Sequence, residues 1–202
     1  MPAKRKTLTK KQEETNYGFV PPNKDLEFIH SGCDLLDLVL GGGYPIGRVS
    51  NIIGDSSTNK TGLTIEAIAN FRKQYPDGLI WYHDAEAAFD IDYAIKLGLP
   101  QDKNTEIIRS MNGVEYTYDK IIEALNKVTT KKTRGIYVLD TLDALQPIPE
   151  DDNKDPIAKG FDNAKRAALI NSFVTKITPK VEKANLHLMI VSQIRGNIGV
   201  IS

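Results

Sequence analysis

The chain has a single cysteine, Cys33, in 202 residues. That excludes an internal disulfide framework and suits a reducing compartment, so the cytoplasm is the expected location. It also lacks net charge, because 26 basic and 26 acidic side chains cancel. The bulk electrostatics therefore announce no polyanionic ligand. No apolar run approaches the ~18 residues of a membrane-spanning helix, so no membrane partner is expected. Met1-Pro2-Ala3-Lys4-Arg5-Lys6 has no apolar run behind it, so no secretory signal is visible there. What is present is enough hydrophobic material, 41% of residues, for a sizeable core in one domain or a little more.

The charge is unevenly placed. Lys4, Arg5, Lys6, Lys10 and Lys11 lie in the first eleven residues with no acid among them. Such an arm can lie along a phosphate backbone, or it can be a solubilising tail. Residues 1–24 are polar and broken by Pro21-Pro22, so they are expected to form an arm or linker ahead of a core over 25–202. In that core, Leu35, Leu36, Leu38, Val39 and Leu40 predict a short buried helix within 31–40, stopped by Gly41-Gly42-Gly43. Apolar strands are expected at 49–53, 79–82, 107–108, 136–139 and 186–191. Helices are expected at 61–73, through Tyr93 to Lys96, at 116–127, and from about Asn163 to a stop or kink near Pro179. Residues 147–162, with three prolines and four aspartates, predict a loop. Strands alternating with helices argue an α/β fold: a mostly parallel sheet flanked by helices on both faces, with ligands at the carboxyl ends of the strands.

One stretch carries the chemistry: Gly54-Asp55-Ser56-Ser57-Thr58-Asn59-Lys60-Thr61. It follows a predicted strand and opens a predicted helix, the context of a phosphate-binding loop. Backbone N–H groups there surround phosphates, and the helix N-terminus adds a favourable field. Lys60 would reach the β- and γ-phosphates, and Thr61 would hold Mg²⁺. Asn59 stands where glycine is usual. Asparagine tolerates left-handed geometry better than most residues, but it is larger. Nucleoside triphosphate binding is expected, and hydrolysis is a separate question. Asp140, after an apolar strand, fits a second Mg²⁺-side position. Asp84 and Glu86 both follow the strand at 79–82, and chemistry alone does not choose which would orient a hydrolytic water.

These blocks resemble the RecA family of DNA recombinases, phage versions in particular, from about residue 29 to 201. Ser31-Gly32-Cys33-Asp34-Leu35-Leu36-Asp37 is similar to the family's opening pattern. Asp84-Ala85-Glu86-Ala87-Ala88-Phe89-Asp90, continuing through Tyr93-Ala94 to Leu97-Gly98, is the most specific block, and it argues against another motor such as a replicative helicase. The resemblance implies a RecA-like P-loop ATPase core using ATP and Mg²⁺, with Glu86 as the general base. Asp90 and Tyr93 would contact the adenine end. Asp140 matches the Walker B aspartate, and Gln193 matches the glutamine that senses the γ-phosphate. Residues 194–200 look like the opening of the second DNA loop, which makes Arg195 and Asn197 DNA-contact candidates, and 147–162 occupies the place of the first. Arg166 is either a phosphate contact or an ordinary surface arginine. The implied partners are single-stranded DNA and further copies of the chain in a helical filament. The implied setting is a bacterial cell or a phage-infected host.

Three departures accompany the likeness. Asn59 replaces the glycine, the family's N-terminal packing helix is not evident, and the sequence stops early in the second DNA loop. A truncated core is therefore expected, and interface lysines that the family draws from a later segment of a neighbouring subunit have no counterpart. An ATP-dependent recombinase is the leading reading. A nucleotide-binding fragment or regulatory partner subunit without turnover is the alternative.

Overall fold

The computed structural model describes residues 26–109, 113–146 and 159–194, with the side chains of 159–164 excepted. Alternation along three central strands decides the architecture. In β4 (Leu79–Asp84), β6 (Gly135–Asp140) and β7 (Leu186–Gln193) nearly every residue is buried, as expected of strands covered on both faces. Successive side chains point to opposite sides. Leu79, Trp81, Tyr137, Leu139, Leu186, Leu188 and Ile190 enter one core, packed under α4 (Val114–Lys131) and α5 (Lys159–Glu182) through Ile121, Leu125, Val128, Phe173, Ile177 and Val181. Ile80, Tyr82, Ile136, Val138 and Met189 enter the other, covered by Ile65, Ile68 and Phe71 of α2 (Lys60–Gln74).

The sheet runs in the order β3-β7-β6-β4-β5, with β3 spanning Val49–Gly54 and β5 spanning Thr105–Arg109. Every neighbouring pair is parallel. Register aligns the carboxyl ends: Gly54 pairs with Gln193, and Asp84 with Asp140. The α/β, helix-flanked parallel sheet expected from the sequence is therefore the observed fold. A small antiparallel pair, β1 (Phe28–Ile29) and β2 (Tyr44–Pro45), is appended to it. Short α3 (Ile91–Lys96) follows β4. No helix among the described residues is long and apolar enough to cross a membrane.

Two local expectations need correction. The helix within 31–40 exists as α1 (Asp34–Leu40), but it is not buried. Leu35, Leu38 and Val39 are 74%, 77% and 82% exposed. Asp37 turns toward the protein, accepting from Ser31 N at 2.8 Å and facing His30 Nδ1 at 3.2 Å, so the leucines take the outer side. The long helix α5 begins at Lys159, earlier than the proline-rich segment suggested. It ends at Glu182, within one turn of Pro179 and before Lys183, as the sequence led one to expect, since a proline in the final turn removes one hydrogen bond and little helix follows it. Residues 1–25, where the basic arm was placed, lie outside the described residues.

His187, fully buried on β7, ties the appended pair to the sheet. Its Nδ1 donates to the Pro45 carbonyl at 2.8 Å, and its ring lies 5.7 Å from that of Tyr44. A carbonyl only accepts, so the neutral ring carries its proton on Nδ1, and the buried Nε2 has no partner among the described residues. Burial lowers its pKa from 6.5 to about 4, opposed by the bond to Pro45. The folded state thus binds fewer protons than the unfolded state between those values. The contribution to stability is present above the unfolded pKa and is lost as pH falls toward about 4. Urea unfolding at pH 7 and pH 4.5 should show a pH-dependent loss that is smaller in His187→Asn, by up to about 3 kcal/mol.

Candidate functional site

The carboxyl ends of β3, β4, β6 and β7 open onto two adjoining cavities of about 240 and 380 Å³. They share Thr61, Glu86 and Asp140. Ser56, Ser57, Thr58, Asn59, Lys60, Thr141 and Gln193 complete the larger one, while Asp84, Phe89, Asp90 and Tyr93 help to line the smaller. The candidates from four separate sequence blocks therefore converge. Tandem parallel pairing makes this so, since Gly54, Asp84, Asp140 and Gln193 all end strands at one edge.

The loop between β3 and α2 is built from alternating left-handed residues. Ser57 has φ 61° and Asn59 has φ 62°. These conformations turn the chain around a concavity at the α2 N-terminus, where unpaired N–H groups favour an anion. Thr58 Oγ1 donates to the Asp55 carbonyl at 2.9 Å, and Lys60 Nζ donates to the same carbonyl at 2.6 Å. Gly54 is the start of the turn: a β-carbon there would come within 2.7 Å of Thr58 Oγ1.

Asp140 is the electrostatic centre. Its Oδ2 accepts from Thr61 Oγ1 at 2.7 Å and from Tyr82 OH at 2.6 Å. Burial raises its pKa, the two hydroxyls oppose the rise, and the carboxylates of Glu86 and Asp84 add to it. Burial, together with that carboxylate, pushes the Tyr82 phenol up, so Tyr82 remains a donor. Tyr82 is held from the other side by Phe89, whose ring stacks at 4.0 Å between centroids. Among the described residues no group of three or more His, Cys, Asp or Glu could hold a metal. One carboxylate and one hydroxyl nevertheless fit Mg²⁺, which prefers oxygen and takes few protein ligands when phosphates supply the rest. Thr61 and Asp140 are the residues that would hold it.

Asp84 and Glu86 have different jobs. Asp84 is buried, and its two carboxylate oxygens accept from Ala88 N at 3.2 Å and Phe89 N at 3.1 Å. It braces a loop in which Ala87 takes a left-handed φ of 57°. Glu86 projects into the shared cavity space and accepts from Thr141 Oγ1 at 2.7 Å. Asp90 caps α3 by accepting from Tyr93 N at 3.0 Å. Tyr93 is left 54% exposed at the cavity mouth.

Gln193 closes the site on β7. Its backbone N–H donates to Asp143 Oδ2 at 2.6 Å. Arg166 on α5 donates through Nε to the Leu145 carbonyl at 2.9 Å and through its guanidinium to the Asp143 carbonyl. It thus ties the helix that follows segment 147–158 to the turn that precedes it. Arg195 and Asn197 lie outside the described residues. Sequence reasoning missed Tyr82, Phe89 and Asp143. Tyr82 was visible only as an apolar strand residue, and the signal for Asp143 was its place three residues after Asp140, one turn of the 3₁₀ helix Leu142–Ala144.

Asp84→Ala should destabilise the chain by about 2 kcal/mol in urea, since the N–H groups of Ala88 and Phe89 lose the acceptor that braces their loop. Glu86→Ala, at an exposed position, should cost no more than about 1 kcal/mol.

The sequence matches the RecA N-terminal domain family over residues 16–202. It is 36% identical to Protein RecA of Porphyromonas gingivalis over 184 residues, which cover 88% of this chain and 49% of that protein. It is 32% identical to Protein RecA of Petrotoga mobilis over 181 residues, 89% of this chain and 46% of the relative. Protein RecA of Parasynechococcus marenigrum is 34% identical over 176 residues, 87% and 44% respectively. The chain spans about half the length of the curated relatives it matches. With the family pattern running through nearly all of it and the parallel sheet in place beneath the site, the chain belongs to the RecA family as a RecA N-terminal domain.

Proposed function

We propose that the chain is the ATP-binding core of a cytoplasmic DNA recombinase of a bacterium or phage-infected host, acting in homologous recombination and repair. The observation that carries the reading is the convergence of Lys60, Thr61, Glu86, Asp140 and Gln193 around one pair of cavities. The phosphates would sit in the loop of Gly54, Asp55, Ser56, Ser57, Thr58 and Asn59, against the α2 N-terminus. Lys60, which donates to a carbonyl of its own loop, would exchange that acceptor for phosphate oxygens. Mg²⁺ bound by Thr61 and Asp140 would offset charge on the β- and γ-phosphates.

Glu86 is the group proposed to take the proton from an attacking water, because Asp84 has both oxygens committed to backbone N–H groups. The nucleoside would lie toward Asp90 and Tyr93, where an exposed aromatic ring offers a stacking face. Gln193 would report the γ-phosphate to residues beyond it, with Arg195 and Asn197 proposed to contact single-stranded DNA. Arg166 would act at the base of the neighbouring segment, as a phosphate contact when its carbonyl partners release it. Filament formation with further copies of the chain belongs to the same proposal.

A second reading has one observation in its favour. Asn59 adds a side chain beside the phosphate position, which suits a subunit that binds nucleotide without turning it over. ATP turnover by the purified chain, with and without single-stranded DNA, separates the two. A working ATPase should be stimulated by DNA and should lose at least about a hundredfold in Glu86→Gln, in the range of a lost general base. Background turnover in every sample, with nucleotide binding retained and abolished in Lys60→Ala, would establish the non-hydrolysing reading.

A further inference from the structure

The phosphate-binding loop differs from the usual pattern at one position, and the structure reveals a second feature that accompanies it. Asn59 occupies the left-handed site with φ 62° and ψ 29°, which asparagine tolerates. Its side-chain amide makes no capping bond within α2 and lies instead over the Cα of Gly62. A β-carbon on Gly62 would come within 2.7 Å of Asn59 Cγ and Nδ2, and nearer still to Oδ1. Any residue but glycine at position 62 would displace the amide. Gly62 has no other evident reason to interrupt the first turn of a fifteen-residue helix, where glycine is unfavourable.

The seated amide also has a particular location. Asn59 lines the larger phosphate cavity, and it lines a separate crevice of about 240 Å³ between α2 and α3, with Gly62, Glu66, Asn70, Lys73 and Tyr93. It therefore stands between the 54–61 loop and Tyr93, the side toward which the proposed function places the nucleoside. We infer that Asn59 and Gly62 form a coupled pair in which Gly62 seats the Asn59 amide as an additional hydrogen-bond donor to oxygens at the nucleoside end of the bound nucleotide. A glycine in place of Asn59 could offer only its backbone N–H. The inference rests on the nucleotide-binding reading above.

Equilibrium binding of a fluorescent N-methylanthraniloyl ADP with Mg²⁺ tests it, using wild type, Asn59→Gly, Asn59→Asp, Gly62→Ala and the double variant Asn59→Gly/Gly62→Ala. Asn59→Gly should weaken binding by about 3- to 10-fold, the usual range for the net contribution of one hydrogen bond. Gly62→Ala should weaken it by a similar factor when Asn59 is present, and by less than about 2-fold in the Asn59→Gly background. Asn59→Asp keeps size and conformation but places a carboxylate against the phosphates, so its loss should exceed that of Asn59→Gly and should shrink with added salt. Its melting temperature without nucleotide should not fall, because an acid favours a helix N-terminus. The double variant should melt about 2–4 °C above Asn59→Gly alone, as alanine replaces glycine in a helix. Asn59→Gly binding as tightly as wild type, or Gly62→Ala acting equally in both backgrounds, would overturn the inference while leaving nucleotide binding intact. If wild type bound no better than Lys60→Ala, the nucleotide-binding reading itself would fall, and the inference with it.

Discussion

The site depends on a carboxylate held between two hydroxyls. Asp140 ends β6, Thr61 opens α2, and Tyr82 lies two residues before the end of β4. Three elements from distant parts of the chain meet on one oxygen atom, so the position of α2 against the sheet and the position of the acid are fixed together. Burial disfavours the charge, and the hydroxyls offset part of that cost. A divalent cation would be a better partner for this carboxylate than either hydroxyl alone. On the proposed function, that charge would be stabilised most fully with a ligand bound.

The register of the sheet makes that meeting possible. Because Asp84 is level with Asp140, the loop after β4 rises directly beside the end of β6, and Glu86 reaches Thr141. Because Gly54 is level with Gln193, the turn between β3 and α2 and the last residue of β7 share one edge. A one-residue slip in either pairing would send the functional side chains to the opposite face.

The strands and long helices were legible in the sequence because their patterns are local: apolar runs ending in polar residues, and helical spacing between glycine and proline stops. The convergence of the candidate site residues was legible because they sit at those run ends. What was not legible depended on tertiary partners. Leu35, Leu38 and Val39 look like core, and only the bonds of Asp37 to Ser31 and His30 turn that helix outward. The choice between Asp84 and Glu86 could not be made from residue chemistry, since it rests on which carboxylate the backbone of Ala88 and Phe89 occupies. Gly62 was invisible for the same reason, as its meaning lies in the side chain folded over it.

The bond from the Gln193 amide to Asp143 has a mechanical consequence. The last residue of β7 pairs with Gly54 on one side, and on the other its N–H is secured to a side chain on a turn. That turn is also clamped by Arg166 from α5. The tip of the strand and the body of the helix therefore hang from a common post. A shift of the strand tip by an ångström would load the guanidinium clamp, and a pull on the helix would return as slack at Gln193. The fold contains a short two-way linkage, one hydrogen bond in series with a parallel pair, running from the mouth of the cavities to the far layer of helices.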